Sequence, residues 1–137
     1  MAGSFNAFGS KTTQIGGHTP VWLGTVAPRP KGGVIAGVSG ANILIPAGTP
    51  VQLANGTITP VGYYAGSTYK KNTSATPNGY LYNDVYMADL ESPVATGAVV
   101  DFHGEGLLIS RVPGRDQWAL ETSALKTAIP NVVLIEE

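Results

Sequence analysis

The chain contains no cysteine. That excludes disulfides and thiolate metal sites, and it fits synthesis in a reducing cytoplasm. Charge is scarce: Asp, Glu, Lys and Arg make up 12% of the 137 residues, against about 25% in a typical globular domain. A freely diffusing monomer keeps a more charged surface for solubility. The deficit therefore points either to a surface covered by neighbours or to a compact β domain with a Ser/Thr/Asn surface. No apolar run approaches the roughly 18 residues of a membrane helix. Met1 to Phe8 has neither a basic stretch nor an apolar core and does not read as a signal peptide. There is no Gly-x-x-x-x-Gly-Lys-Ser/Thr phosphate loop, and Gly37-Val38-Ser39-Gly40 leads into no helix, so nucleotide binding has no support.

Acids are missing from the first part of the chain. Met1 to Asn83 holds Lys11, Arg29, Lys31, Lys70 and Lys71 with no Asp or Glu, a net +5. Asp84 to Glu137 holds nine acids against Arg111, Arg115 and Lys126, a net −6. Such polarity suits complementarity between protein chains. It is too dilute for nucleic acid, because no Lys/Arg stripe interleaves with aromatics.

What is present reads as β structure. Gly (18) and Pro (10) make about a fifth of the chain, above the usual ~12% but short of disorder. Asn42-Ile43-Leu44-Ile45 and Thr49-Pro50-Val51-Gln52-Leu53 read as strands. Asn55-Gly56 predicts a type I′ hairpin. The return, Thr57 to Tyr64, carries Pro60, which predicts an edge or irregular strand. Ser67 to Asn78 reads as a loop, Gly79 to Met87 as one aromatic-rich strand, and Ala98 to Ile109 as a long strand bent at its glycines. One short helix follows, capped by Thr122 or Ser123 and stopped by Pro130. Val132-Val133-Leu134-Ile135 makes a last strand. The expected fold is all-β, a small barrel or sandwich with one short C-terminal helix. Residues 1–33 are expected to form an extended N-terminal arm and residues 34–137 the β domain. In the arm, Val21 to Val26 is suited to adding as a strand to a sheet edge.

Three constellations are candidates for function. Asp101, His103 and Glu105 alternate, so one strand would aim all three to one side. That row suits a metal or general acid–base site, or simply a polar face opposite Val100 and Phe102. Ser110 with His103 and Asp116 has the residue types of a hydrolase triad but no Gly-x-Ser-x-Gly elbow. Tyr80, Tyr82 and Tyr86 share one parity and are candidates for an oligomer interface or a glycan-stacking face, since Tyr is enriched at interfaces.

Four segments, taken in order, carry a family resemblance. They are Ile45-Pro46-Ala47-Gly48-Thr49-Pro50-Val51, then Asn78 to Val85, then Gly97 to Glu105, then Ala124 to Val133. Over about residues 40 to 137 this order resembles phage head decoration proteins of the lambda D type and related head-fibre base domains. The resemblance implies a β-tulip-like domain and a homotrimer on the outer capsid surface. It also implies an N-terminal arm that orders against the major capsid protein. On that reading the protein is a capsid decoration (cement) protein of the virion, made in the host cytoplasm. It is not an enzyme, and it uses no cofactor, nucleic acid or membrane. The capsid-binding residues of the arm would be Phe5, Phe8, Val21, Trp22, Leu23, Arg29 and Lys31. The alternatives are a carbohydrate- or receptor-binding head-fibre module, and a trimeric β hydrolase using Asp101, His103 and Glu105.

Overall fold

The structure is a computed structural model and describes residues 20–87 and 95–136. It is mostly β, 45% strand and 12% helical, with one short C-terminal helix and a nearly closed, barrel-like sheet arrangement. The strands run in chain order as β1 (Trp22–Ala27), β2 (Gly33–Ile35), β3 (Ile43–Ile45), β4 (Pro50–Ala54), β5 (Thr57–Pro60), β6 (Gly62–Ala65) and β7 (Thr68–Lys71). They continue as β8 (Gly79–Leu81), β9 (Val85–Met87), β10 (Thr96–Gly97), β11 (Val99–Val100), β12 (His103–Leu108) and β13 (Val132–Ile135).

The hairpin of β4 and β5 forms where it was predicted. Asn55 and Gly56 take φ 53° and 74°, the left-handed pair that a type I′ turn needs. Pairing then runs from Ala54↔Thr57 to Val51↔Pro60. This hairpin lies at the centre of a six-stranded sheet ordered β10-β2-β5-β4-β8-β11. The expected edge position of Pro60 is corrected. β5 has neighbours on both sides, but β2 pairs only with Thr57 and Ile58. Pro60 sits beyond that register, where its missing N–H is not called for.

Three strand segments predicted as continuous are broken. Ala98 to Ile109 breaks at Asp101-Phe102, between β11 and β12. The other two breaks each move the chain to a second sheet, β9-β3-β6-β7. One of those two, at Val61, separates β5 from β6. The other, at Tyr82-Asn83-Asp84, separates β8 from β9. A third sheet, β13-β12-β1, joins the C-terminal strand in parallel and β1 antiparallel to β12. The predicted loop over Ser67 to Asn78 is also corrected in part. Thr68–Lys71 pairs with β6 as a hairpin around Gly66-Ser67.

The core lies in two clusters on either side of β8 and β11. Tyr80 and Val100 join Val21, Leu107, Trp118 and Leu125 in one. Leu81 and Val99 join Ile43, Ile45, Val51 and Ile58 in the other. Strand periodicity of two sends neighbouring residues to opposite faces, and here both faces are covered: Tyr80, Leu81, Val99 and Val100 are all fully buried.

The arm boundary is redrawn. Val21 is 2% exposed within the first cluster. Its carbonyl accepts from the Leu108 N–H at 2.7 Å, and β1 pairs with β12 from Leu107↔Trp22 to His103↔Ala27. Residues 20–33 thus belong to the domain, because burying Val21 and pairing β1 satisfies apolar and backbone groups that an arm would leave in water. The α-helix α1 (Thr122–Ala128) buries Leu125 and is followed by Pro130, as expected. Its N-cap is Glu121, with no side-chain cap bond. Thr122 instead accepts a hydrogen bond from Arg115 Nη2 at 3.0 Å.

Candidate functional site

The bend Tyr82-Asn83-Asp84 is held at three points. The Tyr82 N–H donates to the Ala98 carbonyl at 2.8 Å. The Trp22 indole Nε1 donates to the Tyr82 carbonyl at 2.9 Å. The Ala47 N–H donates to Asp84 Oδ1 at 2.7 Å. These bonds turn a loop crossing between two sheets into a rigid ridge with a groove on each flank. One groove runs between Asn83-Asp84 and Pro20, Trp22 and Ala47. The other runs between the same two residues and Arg29, Lys31 and Thr96.

The first flank is aromatic. Trp22 and Tyr82 lie 6.4 Å apart between ring centroids, and Trp22 meets Tyr80 edge-on at 6.5 Å. The second flank is cationic. Arg29 is tied by its backbone N–H to the Val99 carbonyl and by its guanidinium to Asp101, Nε reaching Oδ2 at 2.9 Å and Nη2 the same oxygen. The hydrogen bond first, and the carboxylate charge second, raise the Arg29 pKa above its ordinary value. Lys31 is exposed, held at φ 74° on the turn into β2. The arrangement places two aromatic side chains on one flank of the ridge and two basic side chains on the other.

The structure sorts the predicted residues. Phe5 and Phe8 lie outside the described residues. Trp22 meets Tyr82 in one groove, and Arg29 and Lys31 line the other with Asn83 and Asp84. Leu23 is 47% exposed on β1. Val21 is corrected from contact residue to core residue, for the burial already given. The tyrosine face is corrected as well. Tyr80 is fully buried; Tyr82 stands at the ridge; Tyr86 is exposed on β9, in a different sheet, with its hydroxyl donating to Asn42 Oδ1 at 3.2 Å. The bend at Tyr82 breaks the parity that the three positions share in sequence.

The acidic row does not assemble. β12 begins at His103, and Asp101 lies before it with its carboxylate taken by Arg29. His103 Nε2 and Glu105 Oε2 are 3.8 Å apart on the surface. Among the described residues no group of three His, Asp or Glu side chains is placed to hold a metal. Ser110 and Asp116 lie on separate 3₁₀ turns, Ile109–Arg111 and Arg115–Gln117.

Sequence reasoning missed the Arg29–Asp101 pair, 72 residues apart in sequence, and a Tyr69–Trp118 pair in which the indole Nε1 donates to the hydroxyl at 2.8 Å. The Arg115 guanidinium lies 5.1 Å from the centroid of that indole. No spacing signals either contact; only the sheet order creates them. Comparison with protein-family models, with curated proteins and with solved structures finds no significant match. No described helix is long and apolar enough to cross a membrane.

Proposed function

We propose that the chain is a structural virion protein, a capsid decoration protein that binds the major capsid protein on the outer surface of a phage head and stabilises the shell. It acts as a homotrimer and without catalysis. The observation that carries this reading is the ridge at Tyr82–Asp84, with Trp22 and Tyr82 lining the groove on one flank and Arg29 and Lys31 the groove on the other. Aromatic and Arg anchors around a rigid centre are what protein–protein hot spots are made of. The low charge content and the order of the four family-like segments support the same reading. Stabilisation would follow by mass action, since a ligand that binds only the expanded shell stabilises that state by its binding free energy. Three copies in one trimer would add avidity through effective concentration.

The test is co-sedimentation with expanded capsids assembled from the major capsid protein of the same phage. The intact chain binds. Tyr82→Ala combined with Lys31→Glu weakens binding about thirtyfold, the loss of one hot-spot anchor. Deletion through Lys31 removes β1 and unfolds the domain. No binding by the intact chain, or full binding by the Tyr82/Lys31 variant, overturns the reading.

A further inference from the structure

A separate pocket opens where β7 ends, and it shares no lining residue with the grooves at the bend. Its walls are apolar: Val61, Ala75, Trp118 and Leu120. Trp118 already spends its indole N–H on the Tyr69 hydroxyl, so what it offers a ligand is carbon surface. The Asn72 amide at the rim is also committed, donating to the Gly37 carbonyl at 2.8 Å and the Pro60 carbonyl at 2.9 Å. The remaining charge is Lys71. It is exposed, and its ammonium has neither an ion pair nor a hydrogen bond among the described residues.

The backbone beside this pocket has spare capacity. β7 is an edge strand, paired with β6 on one side and with no described strand on the other. Unpaired N–H and C=O groups along an edge are a template for an added strand. Tyr69 and Lys71 share a parity on β7, so both point toward the segment that carries Trp118. β7 carries Lys70 and Lys71 and no acid, and Lys70 Nζ is used on the Ser39 carbonyl at 3.3 Å.

We propose that this site docks an extended, acidic and apolar segment of a partner protein. The segment adds along the β7 edge, places an apolar side chain against Trp118 and Leu120, and sets a neighbouring carboxylate on Lys71. The occupant is chosen by charge: an unpaired cation at the mouth of an apolar pocket selects a carboxylate next to an aliphatic group and repels a basic segment. This proposal is independent of the groove at the bend.

Fluorescence anisotropy of a labelled hexapeptide, Thr-Val-Glu-Leu-Glu-Ser with blocked ends, tests it against the intact protein. A second peptide carries Lys in place of both Glu. The acidic peptide binds saturably and the basic one does not. Lys71→Glu, an exposed position, lowers affinity for the acidic peptide at least about tenfold and transfers binding to the basic peptide. Thr73→Trp, which fills the mouth from an exposed loop position, blocks both. Circular dichroism confirms that the variants fold. If the acidic peptide fails to bind, binds Lys71→Glu equally well, or is matched by the basic peptide, the proposal falls. The lysines then merely guard the edge against pairing, a common role for Lys on edge strands.

Discussion

At the scale of single residues, Tyr80 is the most exacting position. Its ring fills the first core cluster and meets Trp22 edge-on. Its hydroxyl is buried and finds no hydrogen-bond partner among the described residues. A buried, unpaired hydroxyl carries an uncompensated desolvation cost. Tyr80→Phe removes that cost while keeping the ring, so it stabilises the domain at pH 7 by about 1 kcal/mol, measured by urea denaturation. The same burial raises the Tyr80 pKa above its usual value. Burial likewise pushes Tyr69 up to about 12, against the opposing pull of the hydrogen bond from Trp118. In the unfolded chain both phenols ionise near pH 10. Above that pH the folded state holds protons that the unfolded state has lost, so stability is complete below about pH 10 and falls as pH rises through the folded values. Denaturation at a series of pH values between 9 and about 12 shows this as a falling midpoint. The fall is shallower in Tyr80→Phe. A midpoint flat across that range would mean that neither phenol is buried as described.

At the scale of elements, the hairpin at Asn55-Gly56 isolates one physical effect. A Cβ added to Gly56 meets no atom within 4 Å, yet its φ is 74°. Gly56→Ala therefore tests backbone conformation alone and costs about 1 kcal/mol. Gly114 has a similar φ of 81°, but a Cβ there would come within 2.4 Å of the Tyr69 ring. Gly114→Ala adds a steric clash to the same backbone cost and is the more damaging substitution by roughly 1–3 kcal/mol. Thermal unfolding of the two variants separates the contributions, and equal losses would show that Tyr69 is not packed on the Gly114 turn.

These elements also show what a sequence displays and what it hides. The Asn55-Gly56 turn, the short helix before Pro130 and the last strand Val132–Ile135 were legible because each rests on local chemistry: left-handed φ, a missing N–H, a β-branched run. The corners at Val61, Tyr82 and Asp101-Phe102 were not. A strand that changes sheets keeps its composition and its alternation across the corner. β7 was hidden because Thr68-Tyr69-Lys70-Lys71 is polar, although Gly66-Ser67 before it is a hairpin signal. Trp22, Arg29 and Lys31 were singled out from their segment, but the partner that gathers them, the Tyr82–Asp84 ridge, exists only through pairing between distant strands. Val21 was misplaced for the same reason: an apolar run in a Gly- and Ser-rich stretch looks like an arm until β12 supplies an edge to pair with it.

At the scale of the whole molecule, the two core clusters meet along β8 and β11, and this sets how the domain unfolds. Leu81 and Val99 fill one cluster, while Tyr80 and Val100 fill the other. Tyr80 pairs with Val100 and Leu81 with Val99 in one antiparallel ladder. Neither cluster can lose its share of that ladder without exposing the opposite face. Val21, just before β1, and Leu107 and Leu134 of the third sheet close the first cluster, so β1 and β13 depend on the same ladder. The expected behaviour is one cooperative transition, with the calorimetric enthalpy equal to the van't Hoff enthalpy. Val99→Ala and Val100→Ala are adjacent in sequence but cut into different clusters. Each leaves a cavity and lowers the same single transition, by about 1–3 kcal/mol, the scale for deleting methyl groups from a tight core. Differential scanning calorimetry decides the matter. If the first variant shifted one heat-absorption peak and the second another, the clusters would be separate units and the shared ladder would not couple them. A single peak that moves in both variants means that the ridge at Tyr82, which continues directly from β8, is as stable as the whole fold. A partner gripping that ridge would then meet a surface that opens only when the entire domain does.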